Sequence, residues 1–333
     1  MIRTGRRVLL VVGLVAVVGG CSVRVGGTPV AGPIPTTTTT AKDKSRATAV
    51  NLLGDLPTFD PCSLFDPADL KAYGTAALSP PESLDYCPAT LTTPAGTELD
   101  VQVGSLDQLA SESEVRADYR NYRGGLRIAY QPDDTYQCAR RLVFADLVTL
   151  SITVSNYNTA KTTSSELCNP ADALATAAAD RVLAEDAGHR AYQARSIGKV
   201  DPCSIAARDT VAKVPGLLGA KARPYPAAHQ CRWSRDGSVN PPRMRLTFTV
   251  GVPAEADGGN TTVEDVAGRR TAISRTAVTS LVLCVAETAH LPVGDGVSEI
   301  ALVAVTLAPG SSVDLACTTA KAVAADVWPL LPR

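Results

Sequence analysis

Asp60-Pro61-Cys62-Ser63-Leu64 recurs later in the chain as Asp201-Pro202-Cys203-Ser204-Ile205. Each copy opens a short helical pattern. In the first, Asp66 suits a helix cap, Pro67 the first helical position, and Gly74 the stop. In the second, Ala206 to Val214 takes that place and Pro215-Gly216 ends it. Three more cysteines follow each opening at nearly equal intervals: Cys87, Cys138 and Cys168, then Cys231, Cys284 and Cys317. Alternating apolar and polar residues mark strands between them, Glu98 to Val103 and Met244 to Val250, with further strands at Leu147 to Val154 and Ile300 to Leu307. Each copy closes on an Ala-rich helix, Cys168 to Ala187 and Cys317 to Trp328.

The expectation is therefore an α+β fold of two tandem repeats. Each is a mainly antiparallel sheet with a short N-terminal and a long C-terminal helix. The domains run 51–197 and 198–333, with the boundary near Ser196–Val200. Either is long enough to bury its own core. Four cysteines allow three pairings. We expect the sequential one, Cys62–Cys87 with Cys138–Cys168, and Cys203–Cys231 with Cys284–Cys317. Loops of this length contribute roughly 3–4 kcal/mol per bridge on the chain-entropy view.

The N-terminus gives the setting. Arg3, Arg6 and Arg7 precede an apolar run from Val8 to Val18, the layout of a secretory signal over residues 1–20. The run is too short to favour a membrane span of about 20 residues. Val18-Gly19-Gly20-Cys21 resembles a bacterial lipobox. That resemblance implies cleavage before Cys21 and acylation of its sulfur and new amine by chains such as palmitate. Two or three chains hold a protein to a membrane almost permanently, at about 0.8 kcal/mol per buried methylene. Residues 21–50 follow as a Thr/Pro/Gly tether with five successive threonines, Thr36 to Thr40, and no hydrophobic period. The expected place is the extracytoplasmic face of a cell membrane, held by the lipid anchor. Exported cysteines oxidise there, which agrees with eight paired ones.

The Asp-Pro-Cys-Ser openings, Cys231-x-Trp233 and the lipobox together resemble actinobacterial lipoproteins carrying the DUF3558 domain. The resemblance covers roughly 55–333 as two copies. The first departs from it, since Pro88 and Ala89 follow Cys87 with no tryptophan. It implies a fold, disulfides and a location, and no catalytic residues.

Composition excludes some functions. Loss of residues 1–20 takes the formal net charge from −1 to −4, which argues against nucleic acid. His189, His229 and His290 show no metal-ligand spacing, and the disulfide cysteines leave no zinc set, so neither metal nor cofactor is expected. No Gly-x-Ser-x-Gly elbow, phosphate loop or dinucleotide fingerprint occurs. Ser63 and Ser204 read as helix-start residues whose hydroxyls satisfy backbone amides. Glu255, Asp257, Asn260, Glu264 and Asp265 read as a solvated hairpin loop.

One candidate recognition surface stands out. Tyr119, Tyr122 and Tyr130 alternate with Arg116, Arg120, Arg123 and Arg127, the residue types that most often anchor interfaces. The competing reading is a solvated helix followed by a half-exposed strand. With no catalytic set, the expected function is a non-enzymatic binding or accessory role toward an envelope protein, a cell-wall polymer or a small ligand. The alternative is an envelope hydrolase with its site between the domains, which requires a buried titratable pair.

Overall fold

The computed structural model describes residues 47–115, 118–130, 136–157, 162–236, 240–278 and 281–333. Cys21, the signal at 1–20, most of the tether and Arg116 lie outside the described residues.

Proline and aspartate start both halves. Asp60 Oδ1 accepts from Cys62 N at 3.2 Å to open a 3₁₀ turn at Pro61–Leu64. Asp201 does the same for Cys203 N at 2.8 Å over Pro202–Ile205. The caps are thus aspartates. Ser63 and Ser204 donate their hydroxyls back to the Asp60 and Asp201 carbonyls, both at 2.7 Å, and Ser63 Oγ also accepts from the Gly188 amide at 2.8 Å. The short helical segment expected at Ala206 to Val214 is a five-residue helix, Arg208–Ala212.

Each half then builds a seven-stranded antiparallel sheet. In the first half the strands are β2 (Thr75–Leu78), β3 (Tyr86–Thr92), β4 (Glu98–Gln108), β5 (Tyr119–Asn121), β6 (Arg127–Tyr130), β7 (Gln137–Val143) and β8 (Val148–Ser155). Their order is β2-β3-β4-β8-β7-β6-β5. In the second half they are β10 (Lys221–Pro224), β11 (Gln230–Ser234), β12 (Arg243–Gly251), β13 (Thr261–Val266), β14 (Arg269–Val278), β15 (Leu281–Gly294) and β16 (Val297–Leu307). Their order, β10-β11-β12-β16-β15-β14-β13, is the first order advanced by eight at every place. A further short pair joins β1 (Phe59–Asp60) to β9 (Gly188–His189).

Alternation explains the cores. Leu99, Val101 and Val103 of β4 face inward, as do Met244, Leu246, Phe248 and Val250 of β12. One helix covers each sheet. Ser164–Leu183 starts on a capping box in which Thr163 and Glu166 satisfy each other's backbone amides. It buries Leu167, Ala171, Leu174, Ala178 and Val182 against β7 and β8. Val313–Val327, capped by Ser312, buries Ala316, Ala320, Val323 and Val327 against β15 and β16. Four disulfides fasten these layers. Cys62–Cys87 and Cys203–Cys231 pin the opening turns to β3 and β11; Cys138–Cys168 and Cys284–Cys317 pin β7 and β15 to the covering helices.

The two halves exchange core residues. Leu84, from the first, is buried in the core of the second. Ala227, from the second, is buried in the core of the first. The connecting segment also crosses over, with Ile197 fully buried in the second core and Tyr192 packed on it.

Candidate functional site: a cleft at the seam

The seam between the halves holds both a buried polar chain and a cavity. The chain begins at Asp85, just before β3. A bulge in β4 fixes this segment: the register slips between Gly104 and Leu106, and Ser105 N donates to the Asp85 carbonyl at 2.5 Å. Gly104 has φ +133°, and a Cβ there would lie 2.6 Å from that same carbonyl oxygen. Only glycine allows so close an approach.

The Asp85 carboxylate accepts from His229 Nδ1 at 2.8 Å and from Gln230 Nε2 at 2.5 Å. His229 is fully buried, a placement that nothing in the sequence signalled. Its Nε2 meets the Tyr192 hydroxyl at 3.2 Å. With Nδ1 turned to the carboxylate, Nε2 is the ring nitrogen that faces the Tyr192 hydroxyl. Burial pushes the Tyr192 phenol above its ordinary range, opposed by the nearby Arg190 guanidinium. Asp85, His229 and Tyr192 thus link the first half, the second half and the connector in one hydrogen-bonded series.

The cavity lies beside it, with a volume of about 370 Å³. One wall is polar. Arg190 follows β9 and is held at several points: its backbone N donates to the Thr58 carbonyl at 2.7 Å, Nη1 donates to the Leu84 carbonyl at 2.9 Å, and Nε and Nη2 reach Asp60 Oδ1 at 3.2 and 3.1 Å. Glu299 of β16 accepts from the Ser196 hydroxyl and from Ile197 N at 3.0 Å. Tyr192 and Gln193 complete this side. The facing wall is apolar, made by Pro81, Leu84, Val250, Pro292 and Val293. Every charge on the polar wall already has a partner, so the cleft suits a small amphipathic ligand rather than an ion. Its volume lies within the range of small-molecule sites, which often form where domains meet. Nothing in the sequence pattern marked it, because its residues come from distant segments that only the seam brings together.

The Tyr/Arg stretch keeps the half-exposed strand of the competing reading, at Arg127–Tyr130, but not its helix. The described part is two strands, β5 and β6, joined by a single 3₁₀ turn at Arg123–Gly125, with no α-helix. Three of its side chains turn onto the covering helix Ser164–Leu183. Tyr122 donates its hydroxyl to Asp180 at 2.6 Å, Arg123 pairs with Asp180 at 2.5 Å, and Arg120 donates to Thr176 Oγ1 at 2.7 Å. Burial, reinforced by Asp180, pushes the Tyr122 phenol up. Arg127 instead pairs with Glu112 at 2.7 Å and lies over the Tyr119 ring. Tyr130 stacks beneath Arg140, whose guanidinium carbon is 4.7 Å from the ring centre.

The remaining candidates are separate. His189 is exposed and meets Thr58 Oγ1, and His290 meets the Arg195 carbonyl. In the Glu255–Asp265 segment Asp257 accepts from Gly259 N and Thr261 N, both at 2.8 Å, a self-satisfied turn. Among the described residues no group of His, Cys, Asp and Glu is placed to hold a metal ion, and no helix is long and apolar enough to cross a membrane. No family model, curated protein or solved structure matches the chain.

Proposed function

We propose that this chain is a lipid-anchored binding protein of the extracytoplasmic envelope, built from two copies of one DUF3558-like domain, whose small ligand occupies the seam cleft. The lipobox-like Val18-Gly19-Gly20-Cys21 supports the anchor. The matching strand orders, with paired openings and disulfide placements, support the duplication. The observation that carries the binding role is the cleft itself: a cavity of about 370 Å³ with walls from both halves and the connector, in which Arg190 is ion-paired and Glu299 is hydrogen-bonded. Such preorganisation lowers the cost of holding a ligand.

A second reading, an envelope hydrolase acting in the same cleft, draws on the Asp85–His229–Tyr192 series, which ends on a cleft-lining phenol. The two readings part at Tyr192→Phe. A binding protein keeps its ligand in this variant, whereas a hydrolase using the phenol as acid or base loses turnover while still binding.

The anchor is tested by intact-mass analysis of protein taken from native membranes. The expected chain starts at Cys21 and carries acyl mass, and Cys21→Ala is released by washing with salt. A Cys21→Ala chain that stays with the membrane contradicts the anchor.

A further inference from the structure

A second cavity lies on the outer face of the covering helix Ser164–Leu183, away from the seam, with a volume of about 570 Å³. Its floor follows helical spacing: Asn169, Asp172, Thr176 and Asp180, with Ala173 and Ala177 between them. At 1.5 Å per residue this stripe is roughly 16 Å long. Asp69 and Tyr73 stand on the N-terminal side of the fold, and Arg120 of β5 and Tyr130 of β6 also line the groove. Small alanines leave the floor low, and the strand and turn residues raise the sides. We infer that this groove binds a neutral polysaccharide chain.

The arrangement of charge leads to that class. Each carboxylate is held by an arginine: Asp69 by Arg181 at 2.7 Å, Asp172 by Arg140 at 2.7 Å, and Asp180 by Arg123 at 2.5 Å. The carboxylates are therefore fixed in direction and neutralised in charge. Arg120 reaches Thr176 Oγ1 through Nη2, and its buried Nε has no hydrogen-bond partner among the described residues. A polyanion entering here meets three carboxylates. A polycation meets carboxylates that already have cations. Sugar hydroxyls suit the site because each one both donates and accepts: they donate to the free lone pairs of Asp69, Asp172 and Asp180 and accept from Asn169 and Arg120. Tyr73 and Tyr130, both half-buried, supply ring surface for the apolar face of a pyranose. The length of the groove fits a linear chain rather than one ring.

This site is independent of the seam cleft, and the test keeps the two apart. The full chain in detergent is applied to an array of neutral, uronic-acid-containing and phosphorylated oligosaccharides. Neutral oligosaccharides are expected to be retained in preference to the anionic ones. Ala177→Arg places a long side chain across the floor with a residue that suits a helix; it should weaken that retention about tenfold or more with an unchanged melting temperature. Asn169→Ala, at an exposed position, should weaken it without touching an ion pair. Val293→Trp, which fills the seam cleft, should leave it unchanged. The inference is overturned if no neutral oligosaccharide is retained above an unrelated control protein, if anionic ones are preferred, or if folded Ala177→Arg and Asn169→Ala proteins retain the same oligosaccharides as strongly as wild type.

Discussion

Asp85 and His229 belong to opposite halves of the chain, yet their side chains meet at 2.8 Å with exposures of 7% and 1%. A buried charge-capable pair in such a place is costly to break, because removing one partner leaves the other without solvent or a bond. His229→Ala should therefore lower the unfolding free energy by about 3–5 kcal/mol. Asp85→Asn should cost less, since an amide oxygen can still accept from Nδ1. Urea unfolding followed at both tryptophans reads this, and a His229→Ala protein as stable as wild type would show that the pair carries little.

Leu84 gives a second test of the seam. It sits in the first half but is 4% exposed in the core of the second. Leu84→Ala should cost about 2–5 kcal/mol, the range for a leucine truncated in a packed core. The loss should also be displaced along the chain. Hydrogen exchange is expected to rise in β11 and β12 of the second half more than in β6 and β7 of the first. An increase confined to the first half would mean that the cores are not shared.

Glu287 offers a pH signature. It lies half-buried on β15, with Ala254 N donating to it at 2.7 Å, and burial raises its carboxyl above the usual 4.5. A raised folded value means the folded state holds the proton more tightly than the unfolded chain does. Its stabilising contribution is full below about pH 4.5 and fades as pH climbs through the folded value. Glu287→Gln, which keeps the acceptor and removes the charge, should raise the melting temperature at pH 7 and have almost no effect near pH 4. The reverse pattern would refute the assignment.

The Tyr/Arg stretch divides by exposure. Tyr119 is 43% exposed, and the Arg123–Asp180 pair is open to solvent, where such pairs contribute roughly 0–1 kcal/mol. Tyr119→Ala with Arg123→Ala should leave the melting temperature close to wild type. Tyr122→Phe removes the hydroxyl bonded to Asp180 and should cost about 1 kcal/mol. A larger loss in the exposed pair than in Tyr122→Phe would reverse this picture.

Much of the architecture was readable from local signals. The alternation in β4 and β12, the Asp66-Pro67 helix start and the cysteine intervals are short-range patterns, and the structure places strands, a capped 3₁₀ turn and disulfides there. Element ends were less legible: β15 runs on to Gly294, well past the apolar run at Leu281 to Val285, because it is paired with β16 through two register shifts. The site was hardly legible at all. Asp85, Arg190, Tyr192, His229 and Glu299 share no spacing, and their meeting depends on the β4 bulge and on the crossing of the connector. His229 looked like a loop residue because the residues around it, Ala227 and Ala228, carry no periodic signal; only the packing of one half on the other buries it.

The central claim is that the seam cleft holds a small ligand. Native mass spectrometry of the full chain, purified gently from the cells that make it, tests it most directly. The account predicts a bound mass beyond polypeptide and acyl chains in the wild type and in Tyr192→Phe, and its loss in Val293→Trp. A wild-type spectrum showing only the acylated polypeptide, or a bound mass that persists in folded Val293→Trp, would contradict it.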